Sequence, residues 1–153
     1  MREVELETTS AAETERIASA LAGALEPGDV VLIEGEVGTG KTTFVRGAAH
    51  ALGVEGNVAS PSFTIGRRHL GRVPVSHLDL FRLESFESED PSLLDDYLDR
   101  DTIVFVEWPK EGASALGLPS ERDAIVVRLS HLGDDRRRVR LSGSPRALAG
   151  ILP

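Results

Sequence analysis

Hydrophobic and polar positions along this chain switch between a period of two and a helical period, and each switch marks an element. Met1-Arg2-Glu3-Val4-Glu5-Leu6-Glu7 alternates charge with apolar bulk, which predicts a short strand from Glu3 to Leu6. Ser10 and Glu13 then stand at capping-box spacing, and Ile17, Leu21 and Leu25, with Ala18 and Ala22 beside them, repeat on one face of a helix. Pro27-Gly28-Asp29 ends it. The apolar run that follows predicts a strand from Val30 to Glu34, then a glycine-rich loop and a helix from Lys41 to Leu52. Phe44, Val45, Ala48 and Leu52 share the buried face of that helix, and Gly53 is its stop.

From Val58 the pattern becomes extended. Ser62 to His69 and Val73 to Leu80 form a predicted hairpin around Gly71, and Gly56, Pro61 and Gly66 exclude a continuous helix. Glu84 to Pro91 is acidic and loop-like, whereas Leu93, Leu94, Tyr97 and Leu98 predict a short helix entered at Pro91. Thr102 to Val106 suits a buried strand, followed by Glu107-Trp108-Pro109 and a loop of small residues through Leu118. Ala124 to Leu129 and Arg137 to Leu141 alternate on either side of the Gly133-Asp134-Asp135 turn, and Ser144-Pro145 predicts a cap for a last helix through Ile151. No internal repeat, low-complexity tract or linker interrupts the series.

The loop carries the most specific chemistry. Gly35-Glu36-Val37-Gly38-Thr39-Gly40-Lys41-Thr42 fits the pattern G-x-x-x-x-G-K-[ST] between strand and helix, where a phosphate-binding loop must lie. Its glycines let backbone N–H groups turn around an anion, and the following helix adds the positive end of its dipole. Lys41 is expected to reach the β- and γ-phosphates of a nucleoside triphosphate, and Thr42 to offer a hydroxyl to magnesium, a hard ion that prefers oxygen. Loop and elements together predict an α/β chain with a three-layer P-loop NTPase-like fold and a mixed, partly antiparallel sheet, occupying residues 1–153 as a single P-loop domain.

Composition narrows the setting. At 153 residues, with 41% apolar and 27% charged residues, the chain is long enough for a real core but short for an enzyme with a separate substrate domain, so a partner is expected to supply that surface. No apolar run approaches a membrane span, the N-terminus lacks the apolar core of a secretion signal, and there is no cysteine, all in keeping with a cytoplasmic protein. A net charge of −8 argues against broad nucleic-acid binding. Two local basic groups, Arg67, Arg68, His69 and Arg72, and Arg136, Arg137, Arg138 and Arg140, are expected to be solvated residues balancing acids such as Asp134 and Asp135, with a protein or RNA docking surface as the alternative.

Further candidates sit at strand ends, where open α/β sheets gather ligand chemistry. Glu107, directly after a buried run, occupies the position of a magnesium-linked or water-orienting acid. Alternation puts Val75, His77 and Asp79 on one face and Ser76, Leu78 and Leu80 on the other. His77 and Asp79 are thus two polar groups in an apolar strand, suited either to orienting magnesium or water, or to pairing with each other or with Arg82. Thr64, in Ser60-Pro61-Ser62-Phe63-Thr64, suits a switch loop or a simple turn. Trp108, the only tryptophan, suits the core, the edge of the nucleotide site or a partner surface.

Four segments in order, the loop with Thr43, Ser60-Pro61-Ser62-Phe63-Thr64, His77-Leu78-Asp79-Leu80-Phe81-Arg82-Leu83 and Val106-Glu107-Trp108-Pro109, resemble those of the bacterial TsaE (YjeE) proteins. The likeness runs from Glu5 to about Leu141. It implies a small P-loop ATPase, using ATP and Mg2+, that is required for making threonylcarbamoyladenosine next to the anticodon of ANN-decoding tRNAs. Such proteins act with TsaD, which transfers the threonylcarbamoyl group, and with TsaB. Their hydrolysis of ATP resets that complex between turnovers, tRNA being reached through the complex. Alone, the chain is expected to be a monomer or to self-associate weakly.

Carried over by position, the resemblance assigns nucleotide binding to Glu36, Val37, Gly38, Thr39, Gly40, Lys41, Thr42, Thr43, Thr64 and Trp108. It assigns magnesium to Thr42 and Glu107, and catalysis to Lys41, Asp79 and Glu107. Glu36, Thr39, Ser62 and Phe81 depart from the family's usual aspartate, alanine, threonine and tyrosine, and Glu84 to Asp96 matches poorly and receives no function. Arg67, Arg68 and Arg82 are the internal candidates for an arginine finger, although a finger supplied by a partner fits a slow ATPase better. A small-molecule kinase and a non-hydrolysing nucleotide-gated interaction module are the alternatives.

Overall fold

The structure is a computed structural model and describes residues 1–61, 65–81, 90–108 and 116–151. Within them lie β1 (Arg2–Thr8), α1 (Ala11–Ala22), β2 (Val30–Glu34), α2 (Lys41–Ala51), β3 (Gly66–Leu70), β4 (Pro74–Asp79), β5 (Ile103–Glu107), β6 (Ile125–Gly133) and β7 (Arg136–Gly143). The strands form one sheet in the order β1-β7-β6-β2-β5-β4-β3. Its centre, β6, β2, β5 and β4, is parallel, and antiparallel pairs β1–β7, β6–β7 and β3–β4 flank it. This is the mixed, partly antiparallel α/β sheet that the pattern predicts.

Local chemistry explains the helices. Ser10 Oγ accepts from Glu13 N at 3.2 Å as the N-cap, while the Glu13 carboxylate reaches one residue further back than in a capping box, to the N–H and hydroxyl of Thr9. Those bonds hold the Glu13 carboxyl below its ordinary range. The helix stops at Ala22 rather than running on toward Pro27. Bonds from Ala24 N to Leu21 O and Leu25 N to Ala22 O tighten the end into turns, and Leu25 still reaches the core.

Helices α1 and α2 pack together over one face of the sheet, with Ala18, Leu21, Phe44, Val45 and Ala48 buried against Val31, Ile33 and Phe105. Leu32, Leu78, Leu80, Val104 and Val106 point the other way and are covered by Leu94, Leu116 and Leu118 with Tyr97 and Leu98. Both faces of β2 and β5 are therefore buried, as expected for central parallel strands.

The segment from Pro91 is a series of turns instead of the predicted short helix. Its bonds run mostly three residues back, as in Leu93 N to Asp90 O, Asp95 N to Ser92 O and Tyr97 N to Leu94 O, and the Asp90 carboxylate takes the N–H and hydroxyl of Ser92. Apolar spacing that buries Leu94 is met equally by either geometry. After β7 the outcome is the same. Ser144 caps Ala147 N as expected, but turns continue through Ile151, and Arg146 ties this end to Ala24 O and Asp29.

The basic group on β7 does balance acids, but not Asp134 and Asp135. Antiparallel register sets Arg140 opposite Glu5 and Arg138 opposite Glu7, and ion pairs join Arg136 to Glu7, Arg138 to Glu5 and Arg140 to Glu3. The partners thus come from β1, far away in sequence. In the other basic group, Arg68 on β3 meets Asp99 at 2.9 Å, and Arg72, between β3 and β4, donates to Ala51 O. Among the described residues no helix is long and apolar enough to cross a membrane.

Candidate functional site

Three parallel strands, β2, β4 and β5, bring their C-terminal ends to the same edge of the sheet, and the glycine-rich loop rises from the first of them. Gly35 opens the loop where no side chain fits. A Cβ there would lie 2.6 Å from Thr39 Oγ1 and 2.7 Å from Leu129 O. Gly40, at φ 100°, turns the chain into α2 through the left-handed region, and no side chain among the described residues caps that helix. The first N–H groups of α2 are thus left to an external acceptor. Thr39 closes the loop from inside, its hydroxyl donating to Glu36 O at 2.7 Å.

Lys41 begins α2 and is nearly buried. Its Nζ donates to Gly35 O at 2.7 Å and Glu36 O at 2.9 Å and lies 3.7 Å from the centroid of the Trp108 ring. Burial pushes its ammonium below the ordinary lysine value, and the negative charges of Glu107 and Asp79 pull it back up. One residue on, Thr42 Oγ1 stands 3.1 Å from each carboxylate oxygen of Glu107, across 65 positions of sequence. Glu107 itself is 2% exposed. Its Oε2 also meets Nε2 of His77, a wholly buried residue of β4, at 2.5 Å.

Asp79 is the register partner of Glu107 on β4. Its carboxylate accepts from Ser60 Oγ at 2.6 Å and from Phe81 N at 3.0 Å, so it pairs with neither His77 nor, among the described residues, an arginine. Trp108 leaves β5 at φ 59°, its N–H bonded to Ile33 O, and its ring rests 4.8 Å from that of Phe81. Val37, Gly38, Gly40, Lys41, Thr42, Thr43, Phe81, Glu107 and Trp108 line a cleft of about 380 Å³. A smaller cavity of about 150 Å³ opens on the α1 side of the loop, between Ser10, Thr14, Gly38, Thr43, Asp135 and Arg137.

The donor set fits the groups that the motif implies. Thr42 and Glu107 set a hydroxyl and a carboxylate side by side, both hard oxygen donors of the kind magnesium takes. Lys41 and the uncapped start of α2 set positive charge and N–H groups beside them, as an anion requires. Such an arrangement could hold a strongly anionic ligand together with a cation.

Of the residues singled out in the sequence, the loop from Glu36 to Thr43, Asp79, Glu107 and Trp108 come together here. Thr64, Ser62, Phe63, Arg82 and Pro109 lie outside the described residues. Arg68 is directed at the opposite end of β5, bonded to Asp99 and Thr102, and Arg67 does not line the cleft.

Two contacts were not legible in the sequence. His131 Nε2 donates to Val37 O at 3.1 Å and Arg137 Nη2 to Gly38 O at 3.2 Å, so the β6–β7 hairpin holds the back of the loop. Alternation around Gly133 announces the hairpin, but nothing local reveals that β6 lies beside β2.

The family model described as threonylcarbamoyl adenosine biosynthesis protein TsaE matches residues 8–139. The tRNA threonylcarbamoyladenosine biosynthesis protein TsaE of Bacillus subtilis is 39% identical over 140 residues, covering 91% of this chain and 85% of its own. The Streptomyces coelicolor protein of the same name is 37% identical over 126 residues, covering 80% and 85%. The crystal structure of Bacillus subtilis YdiB superposes with a TM-score of 0.74 at 29% identity, over 97% of this chain and 91% of that one. With the matched span running from the end of β1 into β7 and taking in the loop, Asp79 and Glu107, the chain belongs to the TsaE family of threonylcarbamoyladenosine biosynthesis proteins.

Proposed function

We propose that this protein binds ATP with Mg2+ at the cleft between the loop and Glu107, and hydrolyses it in complex with TsaD and TsaB to sustain threonylcarbamoyladenosine modification of tRNA. The observation that carries the proposal is the meeting of Thr42, at the first turn of α2, with the buried carboxylate of Glu107, beside Lys41. That convergence supports a magnesium–triphosphate site, and membership of the TsaE family supports the pathway.

In this reading Lys41 leaves the carbonyls of Gly35 and Glu36 and neutralises the β- and γ-phosphate oxygens, while loop N–H groups hold the remaining charge. Thr42 and Glu107 would hold the magnesium, which would supply further charge neutralisation. Asp79, kept in place by Ser60 and the Phe81 N–H, is the second acid and orients the water that attacks the γ-phosphorus in line. Trp108 and Phe81 shield the reacting end from solvent, and the cavity beside Thr43 and Arg137 takes the nucleoside end. No arginine of the described residues lines the phosphate cleft. In this reading turnover by the isolated chain is slow and the partners complete the site, as the family resemblance implies.

The test is magnesium-dependent phosphate release from ATP, with the chain alone and with its cognate TsaB–TsaD pair. Stimulation by the pair that vanishes in Lys41→Ala is expected. Intact ATP binding without release in either setting would replace hydrolysis by a nucleotide-gated binding role, and phosphate transferred to a metabolite would identify a kinase.

A further inference from the structure

His77 has no part in the chemistry described so far, yet its surroundings are unusual for a core histidine. It lies in the middle of β4, between Val75 and Leu78 in a buried stretch, with no solvent exposure. Burying an imidazole costs free energy unless its nitrogens are bonded. Here Nδ1 has no partner among the described residues, and the single bond that the ring makes goes to Glu107 Oε2. The ring nitrogen is the donor, because an ionised carboxylate has only acceptors.

That bond has a mechanical consequence. The last torsion of a glutamate side chain is soft, so a lone carboxylate turns easily about it. With His77 and Thr42 both on Oε2, and Thr42 also on Oε1, the carboxylate plane of Glu107 is fixed. Both residues stand on central strands in strict register, His77 opposite Phe105 and Asp79 opposite Glu107, so the donor cannot drift from its acceptor. If Thr42 gave its hydroxyl oxygen to a cation, His77 would still hold Oε2 and Oε1 would be left without the Thr42 bond.

We propose that His77 is a positioning residue that pre-orients the Glu107 carboxylate for magnesium. The inference rests on the magnesium–nucleotide reading of the cleft. Outer partners of metal-binding carboxylates typically change metal affinity by about 10- to 100-fold when removed, and the same scale is expected here.

Trp108, the only tryptophan, adjoins Glu107 and lies over Lys41, so its fluorescence reports nucleotide and magnesium arriving at the cleft. ATP would be titrated without magnesium, and then magnesium into the ATP-bound protein, for wild type, His77→Phe and His77→Gln. Phe keeps a ring in the space and removes the donor, whereas Gln returns an amide N–H near the position of Nε2.

Expected are a rise of about tenfold or more in the magnesium concentration for half-saturation in His77→Phe, magnesium-free ATP affinity within about twofold of wild type, and recovery of most of the loss in His77→Gln. Should His77→Phe fail to fold by circular dichroism, His77→Asn takes its place, because its shorter amide does not reach Oε2: a raised magnesium midpoint in His77→Asn with recovery in His77→Gln supports the role, and equal midpoints in the two variants overturn it. An unchanged magnesium midpoint in folded His77→Phe, or equal losses with and without magnesium, would also overturn it while leaving the nucleotide site standing. Absence of ATP binding in the wild type would overturn the nucleotide reading itself, and this inference with it.

Discussion

Along the β1–β7 edge, Arg136, Arg138 and Arg140 meet Glu7, Glu5 and Glu3 in the open, each side chain roughly half exposed. At the ends of β2, β4 and β5, Lys41, His77 and Glu107 lie together at 5%, 0% and 2% exposure. The residue types are nearly the same, and the physics is opposite. Exposed ion pairs sit in high dielectric and contribute about 0–1 kcal/mol each, so the ladder sets strand register and solubility more than stability. Buried groups lose solvation that only specific partners restore, which is why each member of the site is bonded to another member or to the loop backbone. A fold keeps such a cluster where it has a ligand to meet.

Breaking the buried side should give the largest effects. Lys41→Ala is expected to abolish phosphate release and to weaken ATP binding by about two orders of magnitude or more, since it removes the loop's own cation. Glu107→Gln keeps the shape and hydrogen-bonding reach of the side chain while removing its charge. Turnover should fall by about 100-fold, the scale of losing several kcal/mol of charge stabilisation, with a smaller change in magnesium-free ATP affinity. An unchanged rate with magnesium would remove Glu107 from the site.

The loop's backbone comes next. Gly35→Ala drives a methyl group against Thr39 Oγ1 and Leu129 O, and the expected destabilisation is about 2 kcal/mol. Thermal denaturation should show the melting point lower by roughly 4–8 °C for a chain of this size. Ser10→Ala, which removes the α1 cap, should cost about 1 kcal/mol in the same assay. The exposed ladder closes the series. Arg140→Ala should cost well under about 1 kcal/mol, and the difference from wild type should shrink as salt is raised, because pairs in solvent are screened within about 10 Å at 0.1 M. A large, salt-insensitive loss there would erase the contrast between the two regions.

The sequence revealed the parts of the site that depend on local order. The loop, the start of α2 and the acid that ends β5 each need only neighbours in the chain, and the motif with its flanking strand and helix encodes them. Period-two alternation likewise puts His77 and Asp79 on the face that they share in the structure. What spacing alone left open is which partner each would choose: His77 turned to Glu107 because β4 lies beside β5, and Asp79 to Ser60 and to the Phe81 N–H two residues on.

Partners fixed by strand order were illegible for the same reason. Arg137 reads as one more member of a basic run, yet its position at the start of β7 carries it to Gly38 O, and the acids of β1 answer the rest of that run. The segments after Pro91 and Ser144 failed differently. Their apolar spacing states which residues must be buried, and a chain of turns buries Leu94 and Leu148 as well as a helix does.

The most direct measurement is a calorimetric titration of ATP into wild type and Lys41→Ala, each with and without magnesium. If the buried cluster is a magnesium–nucleotide site, wild type binds ATP more tightly when magnesium is present, and Lys41→Ala, still folded, loses most of the binding in both conditions. ATP binding that is the same in both proteins and indifferent to magnesium would contradict the assignment of the cleft.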